Sequence, residues 1–73
     1  MNLITFAERI GRAQSGKRGP EYDADARRAG TTILAWVIGV READITAWAT
    51  GVIEPPAEAI SRLRTLGFEG DVL

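Results

Sequence analysis

The 73-residue chain is 45% hydrophobic and 26% charged, with a formal net charge of −1; this length has room for one core, so we expect a single domain spanning residues 1–73. The absence of cysteine and histidine excludes disulfides, thiolate nucleophiles and the usual neutral-pH general base, so we expect no enzyme, metal or cofactor. No apolar run approaches the roughly 20 residues of a membrane helix, and the start lacks a signal peptide's basic region, which predicts a cytoplasmic protein without membrane contact.

The first segment has the pattern of an amphipathic helix. Thr5 and Glu8 have the Thr-x-x-Glu spacing of a capping box, which predicts a helix start at Thr5. Apolar residues follow at helical spacing, and residues 15–20 then contain two glycines and a proline. We therefore expect the helix to end near Gln14 and a loop to follow it.

The second helical segment is Tyr22–Ala29, with acids early and bases late, the order that suits a helix dipole. Gly30 is a candidate end for this helix, although the helix could also continue through it. The segment 31–38 is the most apolar of the chain, and it ends at Gly39. Glycine there suits a left-handed cap that turns the chain sharply.

The remaining segments also predict helices. Residues Glu42 to Thr50 form a short one, with Gly51 as its end. Pro55-Pro56 suits the first turn of a last helix, in which a missing N–H costs nothing, and Gly67 caps that helix. Residues 68–73 are too few to classify, although Phe68 can fold back on the core. No strand alternation appears, so we expect an all-α domain of four to five helices.

A fixed spacing of small and apolar residues crosses the middle of the chain. Its members are Leu34, Ala35, Ile38, Gly39, Val40, Ile45, Trp48, Gly51 and Pro55. This pattern resembles the helix-turn-helix of the phage Cro and lambda-repressor type, the XRE-like family, over about residues 31–50. Two helices that cross through a short turn need a small residue where their backbones touch, and Ala35 supplies it. The resemblance therefore implies a helix-turn-helix fold.

The resemblance further implies that the helix Glu42–Thr50 lies in the major groove of DNA. Recognition helices of this family usually present amide and cationic side chains to the bases, whereas this helix begins with the acids Glu42 and Asp44. In the first turn of a helix, both acids also interact favourably with the helix dipole. For Glu42, base contact and this structural role both stay open, and for Asp44 we favour the structural role. The candidates for base contact are Arg41, Glu42, Ala43, Thr46, Ala47 and Thr50.

The charges are divided between the two halves of the chain. Residues 1–41 carry seven basic and four acidic side chains, a balance of +3, whereas residues 42–73 carry two basic and six acidic ones, a balance of −4. Non-specific DNA affinity comes mostly from phosphate neutralisation, so the basic half supplies the candidates, although the same side chains could simply be solvated. The candidates for phosphate contact are Arg9, Arg12, Lys17, Arg18, Arg27 and Arg28.

The segment 31–38 is apolar on nearly all sides because of Ile33, Trp36 and Val37. Such a helix is buried on more than one side. Either the 22–29 helix of the same chain covers the extra surface, or Ile33, Trp36 and Val37 form an interface with a second copy or a partner protein. A homodimer would fit the family, because paired half-sites double the contact area.

Together these patterns predict a sequence-specific DNA-binding transcriptional regulator, a repressor of phage or mobile-element type that occupies double-stranded DNA as a homodimer. The alternative is a protein-interaction module on the same scaffold, which uses its acidic half or the Trp36 surface to bind or inhibit a partner protein.

Overall fold

The computed structural model describes residues 2–70, and these residues form an all-α domain, as the sequence predicts. The helices are α1 (Leu3–Ser15), α2 (Asp23–Ile38), α3 (Glu42–Ala49) and α4 (Ala57–Thr65), with a 3₁₀ turn at Pro20–Tyr22. Residues 71–73, part of the unclassified C-terminal segment, lie outside the described residues. Within residues 2–70, no helix has the length and apolar character needed to cross a membrane.

The N-cap of α1 lies three residues earlier than predicted. Asn2 is its N-cap, and the Asn2 side-chain oxygen accepts a hydrogen bond from the Thr5 N–H at 2.8 Å. Thr5 therefore lies inside the first turn, and the predicted start at a Thr5–Glu8 capping box is wrong. The earlier start buries Leu3 completely, a gain that a helix beginning at Thr5 would forgo. The helix ends at Gly16, whose φ of 72° is left-handed.

Helix α2 runs without a break through Gly30, so this glycine is no helix end. Gly30 is buried because it lies against the backbone of Ala7 in α1, and an added Cβ would overlap the Ala7 carbonyl. Gly11 lies in the same way against the carbonyl of Ala26. The two small-residue pairs thus bring α1 and α2 together at backbone contact distance.

The turn between α2 and α3 has the predicted geometry. Gly39 adopts the left-handed conformation with φ 77°, and its N–H donates to the Ala35 carbonyl at 3.0 Å. The Val40 N–H donates to the same carbonyl at 2.9 Å. Helix α3 follows after Arg41 and ends at Ala49, one residue short of the predicted end. Ile45 and Trp48 are buried and anchor α3 on the core.

Helix α4 starts after the two prolines, since Pro56 is its N-cap and Pro55 is buried in front of it. The prediction that the prolines form the first turn is therefore wrong by one position. The chain turns back at Gly67, with φ 103°. Phe68 is 1% exposed, and its ring centroid lies 5.4 Å from that of Phe6, so it closes the core as predicted.

Candidate nucleic-acid interface

An open groove of about 340 Å³ lies between the first half of α2 and the start of α3. We call it the α2–α3 groove. Its lining is Ala24, Arg27, Arg28, Thr31, Glu42, Ala43 and Thr46. Five of these are predicted DNA-contact residues, and they include two phosphate candidates from α2 and three base candidates from α3. The helix-turn-helix crossing is what brings the two groups to one surface.

The Glu42 carboxylate is held against α2 by a residue that the sequence analysis did not single out. Its Oε1 lies 2.7 Å from the hydroxyl of Thr32, which donates the hydrogen bond. This contact joins the start of α3 to the middle of α2. Glu42 is exposed, but one of its oxygens already has a partner, so its role in positioning α3 has direct geometric support. No sequence pattern links a hydroxyl to a carboxylate ten residues further on.

Asp44 and Arg41 are bonded to each other across the first turn of α3. The Asp44 carboxylate accepts from the Arg41 backbone N–H at 3.2 Å and from its guanidinium at 3.3 Å. These hydrogen bonds, the guanidinium first, hold the pKa of the Asp44 carboxyl below its ordinary value. Asp44 thus has the structural role favoured for it, while the Arg41 side chain remains largely exposed beside the groove.

A second basic groove, of about 370 Å³, lies along the outer side of α1. We call it the outer α1 groove, and its lining is Thr5, Arg9, Arg12, Ala13 and Arg18. Within residues 2–70, no carboxylate lies within ion-pair distance of four of the phosphate candidates, which are Arg9, Lys17, Arg18 and Arg28. Three of these four line one of the two grooves, and Lys17 lies over the Tyr22 ring at 5.5 Å.

A row of ion pairs connects the two grooves across the contact of α1 with α2. Arg27 of the α2–α3 groove donates to Glu8 at 2.7 Å, Glu8 lies 3.8 Å from Arg12, and Arg12 also pairs with Asp23. Arg12 and Arg27 therefore already have carboxylate partners, which reduces the charge they offer to a phosphate. Glu8 and Asp23 are functional neighbours that the sequence analysis missed, because the pairing depends on the register of two helices.

The last base candidates lie toward the end of α3. The Thr50 hydroxyl donates to the Thr46 carbonyl at 2.9 Å, and Thr50 and Thr46 line a smaller apolar pocket with α1. Ala47 is half-buried, and its carbonyl accepts from the Val52 N–H at 2.9 Å. Of these three residues, only Thr46 lines the α2–α3 groove.

The predicted apolar interface residues are not covered by the 22–29 segment. That segment and 31–38 are one continuous helix, so neither can pack on the other. Ile33 is half-buried, Val37 is 47% exposed and Trp36 is 84% exposed. The alternative that the same chain covers this surface is therefore wrong for Trp36.

The described part of the chain offers no metal site, since no group of three carboxylates within residues 2–70 could hold an ion. None of the family models, curated proteins or solved structures compared with the chain matches it.

Proposed function

We propose that this chain binds double-stranded DNA as a transcriptional regulator of the repressor type, with α3 in the major groove and α2 along the phosphates. The observation that carries the proposal is the α2–α3 groove, in which Arg28 of α2 lies beside Ala43 and Thr46 of α3. A side chain that neutralises phosphate and side chains that can reach base edges are both needed on one surface for this mode of binding.

The phosphate candidates that have no carboxylate partner within residues 2–70 determine the expected strength of DNA binding. Arg28 lies in the α2–α3 groove, Arg9 and Arg18 lie in the outer α1 groove, and Lys17 lies in the loop between α1 and α2. About four neutralised phosphates give a slope of log K against log salt of about −3 to −4. The expected affinity is therefore modest and strongly salt-dependent.

Base reading by α3 rests on few polar groups. Arg41 is the strongest donor for guanine at the start of α3; its side chain is 83% exposed but pairs with Asp44 at 3.3 Å, which reduces the charge it offers to a base. Ala43 can make an apolar contact with a thymine methyl group, and Thr46 can make a single hydrogen bond to a base. The free oxygen of Glu42 can accept a hydrogen bond from a cytosine amino group. We therefore expect a smaller preference for specific over random DNA than an amide-rich recognition helix gives.

The test is the salt dependence of binding to a mixed-sequence duplex, measured by fluorescence anisotropy. Arg28→Ala removes a groove cation that has no carboxylate partner among the described residues, so the salt slope should become shallower by about 1. Arg64→Ala is the matched control, since Arg64 is an exposed α4 arginine that lines neither basic groove. Its slope should equal that of the parent. Absence of binding by the parent at low salt, or equal slopes for the two variants, contradicts the proposal.

A second candidate function is a protein-interaction module on the same scaffold, and the exposure of Trp36 favours it. The two candidates separate in the same titration. A module of this kind has no affinity for duplex DNA above background at low salt, and removing Arg28 changes nothing.

A further inference from the structure

A third groove, of about 200 Å³, lies between the end of α2 and α4, and no DNA-contact candidate lines it. We call it the α2–α4 groove. Its lining is Val37, Ile38, Arg62, Thr65 and Leu66. Val37 is 47% and Leu66 41% exposed, so two aliphatic walls of the groove face outward.

The Arg62 guanidinium is fixed in this groove by two hydrogen bonds. It donates to the Ile38 carbonyl at 2.7 Å and to the Glu58 carboxylate at 2.6 Å. A held guanidinium presents a planar, weakly hydrated cation, and an aromatic ring is the group that stacks on it. Aliphatic walls and this cation together suit a flat aromatic occupant.

Trp36 is the exposed aromatic side chain of the described residues. Phe6, Trp48 and Phe68 are buried, and Tyr22 is half-buried near Lys17. Trp36 directly precedes Val37, yet it does not line the α2–α4 groove of its own chain. Successive residues point about 100° apart around a helix, so the ring projects beside the groove instead of into it. A ring and a groove of matching chemistry thus adjoin on one surface.

We propose that two copies of this chain form a dimer in which Trp36 of each copy occupies the α2–α4 groove of the other. In a two-fold dimer the same contact is made twice, so each copy must supply both the ring and the groove. This chain carries both on one surface. The ring would lie against Arg62, Val37 and Leu66 of the second copy. The contact leaves the α2–α3 groove free, because the two grooves share no residue.

The small size of the contact limits its strength. A tryptophan buries about 150–250 Å², so two inserted rings and the two grooves they cover bury on the order of 800 Å² in total. Stable interfaces bury about 1,200–2,000 Å². The dimer is therefore weak and reversible, and its population depends on protein concentration.

Sedimentation equilibrium without DNA tests this dimer over a concentration series of about three decades centred in the micromolar range. The mass of the parent should rise from one chain toward two. Trp36→Ala removes the ring, and Val37→Lys places a charge on the groove wall near the C-terminal end of α2, where a cation suits the helix dipole. Each should weaken association by more than about tenfold, the loss expected for a central aromatic anchor or a charge buried opposite it.

Val52→Ala is the control for non-specific apolar association, because Val52 is 76% exposed and lines neither the α2–α4 groove nor a basic groove. It should associate like the parent. Emission of Trp36 should also shift to the blue as the mass rises, whereas Trp48 is already buried. A parent that stays monomeric at every concentration, or a Val52→Ala variant as weakened as Trp36→Ala, overturns the proposal. Arg28→Ala should dimerise normally, so failure of the dimer and failure of DNA binding are separable.

Discussion

Some side chains at the start of α3 hold the helix in place by hydrogen bonds within the domain, and others are exposed. Glu42 is bonded to Thr32 of α2, and Asp44 is bonded to Arg41 within the first turn. Both acids therefore have structural partners that explain their place at the start of α3. The exposed residues of this turn are Arg41, Glu42 and Ala43, and the bond from Thr32 uses one of the two carboxylate oxygens of Glu42.

The lowered pKa of Asp44 predicts a pH-dependent contribution to folding. The folded-state pKa lies below the unfolded one, so the stabilisation is present above about pH 4 and is lost as the pH falls through the folded value. The difference in unfolding free energy between the parent and Asp44→Asn should therefore shrink as the pH falls from neutral to below 4, measured by urea denaturation at each pH.

The Arg41 guanidinium is the first cause of that shift, so Arg41→Met supplies the control. With Met at this position, replacing Asp44 by Asn should show a weaker dependence on pH, because only the backbone N–H still bonds the carboxylate. An unchanged pH dependence would show that the guanidinium does not lower the pKa of Asp44.

At the scale of elements, α1 and α2 are defined by how closely they pack. Ala7 and Gly11 on α1 meet Gly30 and Ala26 on α2, and each glycine lies against a backbone carbonyl of the other helix. The same four-residue spacing of small residues is visible on both segments of the sequence. Nothing in the pattern alone distinguishes a glycine that ends a helix from one that packs against a neighbour, and for this reason Gly30 is a poor guide to the end of α2.

Replacing Gly30 by alanine should destabilise the domain, even though alanine has a higher helix propensity than glycine. Alanine gains up to about 1 kcal/mol in a helix interior, but its Cβ would overlap the Ala7 carbonyl, and overpacking costs typically 1–3 kcal/mol or more. We expect a net loss of about 1–2 kcal/mol in urea unfolding.

Ala13→Gly is the comparison for that variant, since Ala13 is exposed in α1 and the change acts through propensity alone, at up to about 1 kcal/mol. A Gly30→Ala variant more stable than the parent would mean that α1 and α2 are not in backbone contact at this point.

Sequence patterns predict the turn between α2 and α3 better than the start of α1. Gly39 and Ala35 determine the turn locally, so the helix-turn-helix geometry follows from a short segment. Asn2 and Thr5 are both good N-caps, and the choice of Asn2 depends on the burial of Leu3 in a core that assembles from all the helices.

At the scale of the whole molecule, the basic half of the chain is only partly free of ion pairs. Glu8 and Asp23 pair with Arg12 and Arg27 at the contact of α1 with α2, while Arg28 lies beside α3 without a carboxylate partner within residues 2–70. The sequence predicts the candidate cations, but the register of the two helices decides which of them are neutralised. The net charge of −1 is therefore compatible with a local basic surface.

Amide chemical-shift mapping during titration with a duplex at low salt is the most direct test of the proposed contact between DNA and the α2–α3 groove. The largest shifts are expected at Arg28, Thr31, Ala43 and Thr46, which line that groove. Ser61 and Arg64, exposed on α4, should keep their positions. Shifts confined to α4, or no shift anywhere at saturating duplex, would contradict it.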